Sequence, residues 1–327
     1  MYQLNPIIES AIGNTPMIPL STNIYAKMEG SNLFGSAKDR AANYILADLL
    51  KRQKIDKSTK IIESSSGNFA IALAGVCRVL GMTFICVIDP LLNPANKSIL
   101  ECLNANFILV TKPDENNSYS KSRINMIQDI INQNKNIYWI NQYDNPIIPS
   151  AYYSLGQEIV CQVPNVRYIF VPVSTCGTIA GISHIVKKYN SSIKIIAVDL
   201  DCSNIFYPAI TKQHIPGMGL FRKPENLNQA KIDDVVIVSE LESIKECHCL
   251  LDKGIFVGVS SGATLCAIKK YSHKISPHEI VVAVFPDRGE RYIKTAYNND
   301  WCKKYFPQYI TSSQNNVKNY ELSINKG

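Results

Sequence analysis

Short apolar runs rich in β-branched residues alternate along this chain with longer amphipathic or apolar stretches. One run, YIFVPV at Tyr168–Val173, is continuously apolar, as buried parallel strands are. The pattern predicts strands at Lys60–Ile62, Thr83–Ile88, Asn106–Val110, Tyr138–Asn141, Tyr168–Val173, Lys194–Val198, Val235–Val238 and Ile280–Phe285. It predicts helices at Asp39–Arg52, Asn68–Leu80, Asn93–Leu103, Ser120–Gln133, Gly177–Lys188, Glu240–Leu251 and Ala263–Tyr271. Strand–helix alternation over the whole chain is typical of an α/β fold with largely parallel sheets.

Length and composition limit the class of protein. The chain has 327 residues, which at roughly 100–200 residues per domain predicts about two domains. Hydrophobic residues make up 46% of it, which excludes a disordered chain. We find no internal repeat. The segment Ser312–Gly327 is polar without periodicity, so we expect a loosely held tail there.

The charge is mildly basic, with 34 Lys and Arg against 27 Asp and Glu and a net charge of +7. These residues are scattered rather than gathered in runs, which argues against a nucleic-acid partner and leaves an anionic small substrate open. No apolar stretch approaches the ~20 residues that cross a bilayer. Met1–Ser10 lacks a secretory signal.

The ten cysteines form no CxxC pair, and the Cys247–Cys249 cluster has no second ligand pair, so no metal site is expected. Free thiols in a reducing compartment are the simpler interpretation, and the sequence predicts a soluble cytoplasmic protein.

Three predicted strand-to-helix turns are rich in Ser, Thr, Gly and Asn: Glu63–Asn68, Ser174–Thr178 and Val259–Ala263. One such turn alone is also what a helix N-cap looks like. Three of them, at the carboxyl ends of strands where α/β sheets bind ligands, favour a shared anionic ligand at helix N-termini. Ser174–Thr178 lacks both the GxxxxGK[ST] and the GxGxxG spacing, so a single phosphate monoester suits it better than a nucleotide or dinucleotide.

Lys38 lies in the sequence GSAKDR at a predicted helix start. A lysine there is often no more than a solvated side chain. The positive end of a helix, however, disfavours the ammonium form, and a neutral amine is suited to Schiff-base chemistry. Together with the predicted phosphate-binding turn at Ser174–Thr178, Lys38 indicates pyridoxal 5'-phosphate (PLP) as cofactor.

In their order along the chain, these motifs resemble the fold-type II PLP enzymes of the cysteine synthase and cystathionine β-synthase family. The matches run from IGNTP at Ile12–Pro16 to DRGERY at Asp287–Tyr292. The resemblance implies two three-layer α/β/α domains of the tryptophan synthase β type, with PLP in the interdomain cleft. Residues 1–36 and 145–311 would form the larger domain and residues 37–144 the smaller, mobile one. Members are usually homodimers.

The resemblance also implies roles for single residues. Lys38 would be the catalytic lysine that forms the Schiff base with PLP. Asn68 would contact the phenolic oxygen of PLP, and Ser260 would face its pyridine nitrogen, which a neutral hydroxyl leaves largely unprotonated. The phosphate loop would be Ser174, Thr175, Cys176, Gly177 and Thr178. The substrate carboxylate would be bound by Ser65, Ser66, Gly67 and Asn68 with help from Gln142.

Within the family, the chain is most similar to the N-(2-amino-2-carboxyethyl)-L-glutamate synthases. Ile88–Pro90, Tyr138–Tyr143 and Phe285–Gly289 carry this likeness. That group combines O-phospho-L-serine with L-glutamate through an α-aminoacrylate, releases phosphate and supplies 2,3-diaminopropionate for siderophores. A phosphate leaving group needs donors, and arginine offers a bidentate fork. The residues expected to bind substrate are therefore Arg123, Arg222 and Arg288, with Tyr152 and Ser174 as positioning residues; surface ion pairs are the alternative for each arginine.

Three other functions stay open. A cysteine synthase would use sulfide as acceptor in place of glutamate. A non-catalytic protein of the same fold would bind PLP and act only as the partner of another enzyme. An NAD-binding protein is disfavoured by the missing GxGxxG turn.

Overall fold

The computed structural model describes residues 6–114, 119–215 and 217–309. The helices are α1 Pro6–Ala11, α2 Lys38–Lys51, α3 Asn68–Leu80, α4 Pro94–Cys102, α5 Tyr119–Gln133, α6 Tyr153–Gln162, α7 Gly177–Tyr189, α8 Glu240–Leu251, α9 Val259–Tyr271 and α10 Asn299–Tyr305. The strands are β1 Met17–Pro19, β2 Ile24–Met28, β3 Lys60–Glu63, β4 Phe84–Ile88, β5 Asn106–Leu109, β6 Ile137–Trp139, β7 Val166–Pro172, β8 Lys194–Leu200, β9 Asp234–Val238 and β10 Ile280–Phe285.

The strands form two sheets. The larger has the order β1-β2-β10-β7-β8-β9 and is parallel except for the β1–β2 pair. The smaller has the order β5-β4-β3-β6 and is parallel throughout. Two largely parallel sheets confirm the predicted α/β class.

All strands of the smaller sheet lie within the segment 37–144, and all strands of the larger sheet lie outside it. The chain therefore leaves the larger sheet after β2 and returns to it at β7. The domain boundaries at residues 36/37 and 144/145 remain a prediction. The expected tail, residues 312–327, lies outside the described residues.

Local sequence explains where the helices next to the sheet ends start and stop. Helix α3 is apolar on nearly every face and is buried from Phe69 to Cys77, and it ends at Gly81 in the left-handed conformation (φ 69°). Helix α4 begins where Asn93 accepts a hydrogen bond from the Ala95 N–H, with Pro94 in the first position. Gly81 thus ends α3 before the chain enters β4, and Asn93 starts α4 in the turn after β4.

The ten cysteines form no disulfide. Among the described residues, no helix has both the length and the apolar character needed to cross a bilayer.

Candidate active site

A cavity of about 520 Å³ opens where the carboxyl ends of strands from both sheets face each other. This is the edge at which parallel α/β sheets bind ligands, and the volume is in the usual range for a small-molecule site. Of the predicted site residues, its wall contains Lys38, Ser65, Ser66, Gly67, Asn68, Arg123, Gln142, Ser174, Thr175, Cys176, Thr178 and Ser260. The three polar turns thus meet in one place.

Lys38 is the first residue of α2 and lines the cavity. Its neighbour Asp39 is buried and accepts hydrogen bonds from the Phe34 N–H (2.6 Å) and the Ser36 hydroxyl (3.3 Å). Burial raises the pKa of Asp39 to about 7. These contacts close the loop before α2, so the start of the helix, and with it Lys38, is fixed at the cavity wall.

Arg40 anchors the same helix on its other side. Its guanidinium is almost fully buried and forms ion pairs with Glu29 and Glu158, both at 2.7 Å. Lys27 pairs with the second oxygen of Glu158 at 2.6 Å. Each buried charge has an opposite charge beside it, as burial requires. Of the consecutive residues Lys38, Asp39 and Arg40, the first therefore lines the cavity, and the other two are buried and anchor the start of the helix through hydrogen bonds and ion pairs.

The turn Ser174–Thr178 starts helix α7, whose first N–H groups have no partner within the helix. Cys176 takes the left-handed conformation there (φ 60°). Burial raises the pKa of its thiol, so the thiol is neutral and adds no negative charge. Gly177 does not line the cavity, and a Cβ at this position would overlap the Ile148 side chain. Tight packing against Ile148 therefore fixes the helix N-terminus.

On the opposite wall, the turn after β3 places Ser65–Asn68 at the start of α3. The Ser66 carbonyl accepts a hydrogen bond from Asn96 at 3.0 Å, which holds this loop against α4. Asn68 Nδ2 donates to Asp287 Oδ2 at 2.7 Å. Asp287 follows β10, so this bond joins the two sheets across the cavity.

Ser260, in the first turn of α9, is buried and lines the cavity. Its hydroxyl is 3.5 Å from Asp287 Oδ1. Asp287 belongs to a motif that carries the family resemblance but had no predicted role, and a lone acid after the apolar strand β10 is the signal that would have marked it. Arg291 also lines the cavity and was not predicted.

Four predicted substrate or cofactor residues lie outside the cavity wall. Gly177 packs on Ile148, and Tyr152 is buried beside the start of α7. The Arg288 Nε donates to the Gly30 carbonyl, so this side chain secures a loop. Arg222 pairs with Asp144 at 2.9 Å and lines a small crevice next to the cavity. The geometry gives no support to direct substrate contact by Tyr152 or Arg288.

Comparison with known proteins decides the family. The sequence pattern of the family described as "Pyridoxal-phosphate dependent enzyme" matches residues 8–287, which is most of the chain. The chain belongs to this family. It is a PLP-dependent enzyme, as the sequence predicted, and it is similar to a cystathionine β-synthase.

Solved structures are similar over nearly the whole chain. The O-acetylserine dependent cystathionine β-synthase of Helicobacter pylori is 29% identical, with a TM-score of 0.81 over 90% of this chain and 99% of that one. A hydrogen sulfide-producing enzyme of Fusobacterium nucleatum is 28% identical, with a TM-score of 0.83 over 92% and 93%. An O-ureido-L-serine synthase, at 24% identity and a TM-score of 0.82 over 94% and 96%, shares the fold.

The residues of the cavity are suited to PLP. The N-terminus of α7, with its hydroxyls and small side chains, offers N–H donors to a phosphate. Lys38 supplies the amine, Asn68 an amide donor for the phenolic oxygen, and Ser260 a hydroxyl for the ring nitrogen. The individual roles of these residues stay predictions.

Proposed function

We propose that this enzyme catalyses a β-replacement in which O-phospho-L-serine is the donor and L-glutamate the acceptor, giving N-(2-amino-2-carboxyethyl)-L-glutamate and phosphate. One observation carries the proposal. Two guanidinium groups, those of Arg123 and Arg291, line the cavity that contains Lys38. Within the described part of the chain, Arg123 Nε and Arg291 Nη1 are buried without a hydrogen-bond partner.

Buried N–H donors without a partner cost free energy, so a small turn of either guanidinium toward an anion in the cavity would be favourable. A phosphate ester carries the oxygens and the negative charge that a guanidinium fork binds best. The acetyl group of O-acetylserine is neutral and offers a single carbonyl acceptor. Arg123 is also paired with Asp89 at 2.9 Å, which orients its fork. The cavity therefore supports an anionic leaving group in addition to the cofactor phosphate.

The acceptor is inferred from the side chains at one end of the cavity. Arg123 and Tyr143 line both the cavity and an adjoining crevice, which Arg222 also lines. The crevice has a volume of only about 10 Å³, so an acceptor the size of an amino acid would lie in the cavity itself. The Arg222 guanidinium lies 5.5 Å from the centre of the Tyr143 ring. A dicarboxylate such as glutamate brings carboxylate oxygens that these side chains are suited to bind, whereas sulfide needs no such groups. Arg222 is about a third exposed, so its ion pair with Asp144 can exchange for a ligand at small cost.

The residues have separate tasks in this reaction. Bound PLP withdraws electrons from the α-carbon of an amino acid, which makes its proton acidic and allows a β-substituent to leave. Lys38 Nζ accepts the α-proton as general base and returns it after the acceptor amine has added to Cβ. The Ser65–Asn68 turn and Gln142 bind the α-carboxylate. Arg123 neutralises the phosphate as it departs. Approach of the two sheets excludes water, which would otherwise compete with the acceptor.

The test combines two donors, O-phosphoserine and O-acetylserine, with two acceptors, glutamate and sulfide, in four separate mixtures. Mass spectrometry of the product and release of phosphate are measured. The proposal expects the fastest turnover, and the glutamate adduct, from O-phosphoserine with glutamate. Cysteine as the main product would make the enzyme a cysteine synthase. PLP binding without turnover in any mixture would favour the non-catalytic partner protein.

A further inference from the structure

Asp287 connects three loops of the cavity. Its side chain accepts the hydrogen bond from Asn68 at 2.7 Å, and Tyr292 donates to the same oxygen at 2.8 Å. Its backbone pairs with Ser36, two residues before Lys38, and its carbonyl accepts the Gly258 N–H at 3.0 Å. The turns that carry the lysine, the amide and the Ser260 hydroxyl therefore all contact one residue.

The carboxylate has little freedom to move. Asp287 is 2% exposed, and a Cβ added at Gly258 would overlap its Oδ1. Only glycine permits this approach of the α9 N-cap to the carboxylate. The position of Asp287 is thus set by the packing of the large sheet, whereas its partner Asn68 belongs to the small sheet.

An asparagine amide has two ends of opposite character, the oxygen an acceptor and the nitrogen a donor of two hydrogens. A carboxylate accepts only, so Asp287 selects the rotamer in which Asn68 Nδ2 faces it. One N–H of Nδ2 is used for Asp287, and the second remains for another acceptor. If the amide turned by half a rotation, its oxygen would face the Asp287 carboxylate, and the hydrogen bond between the two side chains would be replaced by repulsion between two acceptors.

We propose that Asp287 is a positioning residue that holds Asn68 with its N–H, and not its oxygen, toward the phenolic oxygen of bound PLP. The hydrogen bond stabilises the ionised form of that oxygen. The inference rests on the cofactor placement that the proposed function also uses, and it does not depend on which donor or acceptor the enzyme takes. The contact of Asp287 with Ser260, at 3.5 Å, places the same carboxylate beside the group expected at the ring nitrogen.

The experiment uses the purified holoenzyme without substrate and compares Asp287→Ala with Asp287→Asn. Two readouts are independent of activity: the dissociation constant of PLP, and the ratio of the two absorption bands that report whether the phenolic oxygen is ionised. We expect Asp287→Ala to weaken PLP binding about tenfold, the loss of one charged hydrogen bond, and to reduce the band of the ionised form. Asp287→Asn should keep most of the PLP affinity and most of the ionised band, because Tyr292 continues to hold an oxygen at the Oδ2 position.

A double-mutant cycle keeps the result interpretable when a variant loses stability. If Asp287 acts through Asn68, then Asp287→Ala adds little to the spectral change of Asn68→Ala. Any of three results would overturn the inference. The first is an additive spectral change in the double variant, and the second is an unchanged spectrum in Asp287→Ala. The third is an equal loss of PLP affinity and of the ionised band in Asp287→Ala and Asp287→Asn. Asp233→Asn serves as control, since this carboxylate accepts a hydrogen bond from the Ile195 N–H and pairs with Lys187, and none of these three residues lines the cavity. Substitution of Lys38, which should remove the cofactor bands, tests the cofactor site itself. Failure of the cofactor placement can therefore be distinguished from failure of the role inferred for Asp287.

Discussion

Glu63 Oε2 accepts a hydrogen bond from the backbone N–H of Gln142 at 3.2 Å. This contact ties the end of β3 to the loop after β6, and the other Glu63 oxygen accepts the Ser64 N–H at 2.7 Å. Glu63 is fully buried, and burial raises its pKa to about 7. One buried carboxyl thus holds together the two loops expected to bind the substrate carboxylate.

Replacement of Glu63 by Gln should change the pH dependence of stability. In the unfolded chain this carboxyl ionises near its ordinary pKa of about 4.3, whereas in the folded protein it keeps its proton until about pH 7. The folded state therefore binds more protons between these values, and the free energy of unfolding falls as the pH rises through that window. Each tenfold difference in proton affinity between the folded and the unfolded chain corresponds to about 1.4 kcal/mol of that fall.

The measurement is the Tm of both proteins from pH 4 to pH 8. The Glu63→Gln protein should lose less stability than the wild type between pH 5 and pH 7, whatever its absolute Tm. Parallel curves would show that Glu63 does not titrate in this range. Asp39→Asn provides a comparison, because burial also raises the pKa of Asp39 to about 7.

Lys38→Ala should abolish the absorbance band of lysine-bound PLP near the visible–ultraviolet boundary. The substitution removes the amine that lines the cavity and leaves the anchors Asp39 and Arg40 in place, so the protein is expected to fold. Lys51→Ala, at the exposed far end of the same helix, is the matched control and should keep the band. A band that persists in the Lys38 variant would remove Lys38 from the cofactor site.

Arg123→Ala should lower kcat/KM for O-phosphoserine by about 10- to 100-fold, the value of one charged hydrogen bond to phosphate. The substitution also leaves Asp89 without its 2.9 Å partner, which adds repulsion toward an anionic donor. O-acetylserine should be affected much less. Steady-state assays give the ratio of kcat/KM for O-phosphoserine to kcat/KM for O-acetylserine. A ratio equal to that of the wild type would place Arg123 outside the donor site. Arg78→Ala, an exposed arginine on α3, is the control.

Gly177→Ala should destabilise the protein by about 1–3 kcal/mol, the usual cost of overpacking, and should weaken PLP binding. The new methyl group would collide with Ile148 Cγ2 and displace the start of α7. Ile148→Ala in the same chain removes the clash and should restore part of the PLP affinity. Gly181→Ala has no such rescue by a side-chain change, since the nearest atom to its new methyl group is the backbone oxygen of Pro149. Thermal unfolding and PLP titration of the three proteins measure these effects.

Apolar periodicity was sufficient to find the interior of the fold. Strand β10 and helices α3 and α8 have the predicted bounds, and the other predicted elements differ by a few residues at their ends. Helices α1, α6 and α10 and the short strand β1 were not predicted. Helix α6 has a glycine near its start, at Gly156, and β1 is a three-residue edge strand with little apolar signal.

In the candidate site too, the sequence predicted the local features and missed those that depend on long-range contacts. Turn composition located Ser65–Asn68, Ser174–Thr178 and Ser260 because short polar residues between apolar runs are visible in the sequence. Long-range contacts are not visible there. The hydrogen bond between Asn68 and Asp287 joins residues 219 positions apart, and the burial of Tyr152 depends on how α7 packs on the segment before α6. Arginine has many possible partners, so the sequence could not separate Arg123, which reaches the cavity, from Arg288, which binds a backbone carbonyl.

The separation of the two sheets along the chain has a consequence for how such an enzyme diversifies. The phosphate-binding turn and Ser260 are encoded outside residues 37–144, whereas Arg123, Gln142 and the Ser65–Asn68 turn are encoded within them. The groups expected at the cofactor phosphate and at the ring nitrogen are therefore encoded apart from those expected to bind the substrate, whereas Lys38 and Asn68 share the inserted stretch with the substrate groups. An exchange of that stretch between relatives that keep this lysine and this asparagine is expected to alter the donor while the phosphate-binding turn is inherited unchanged.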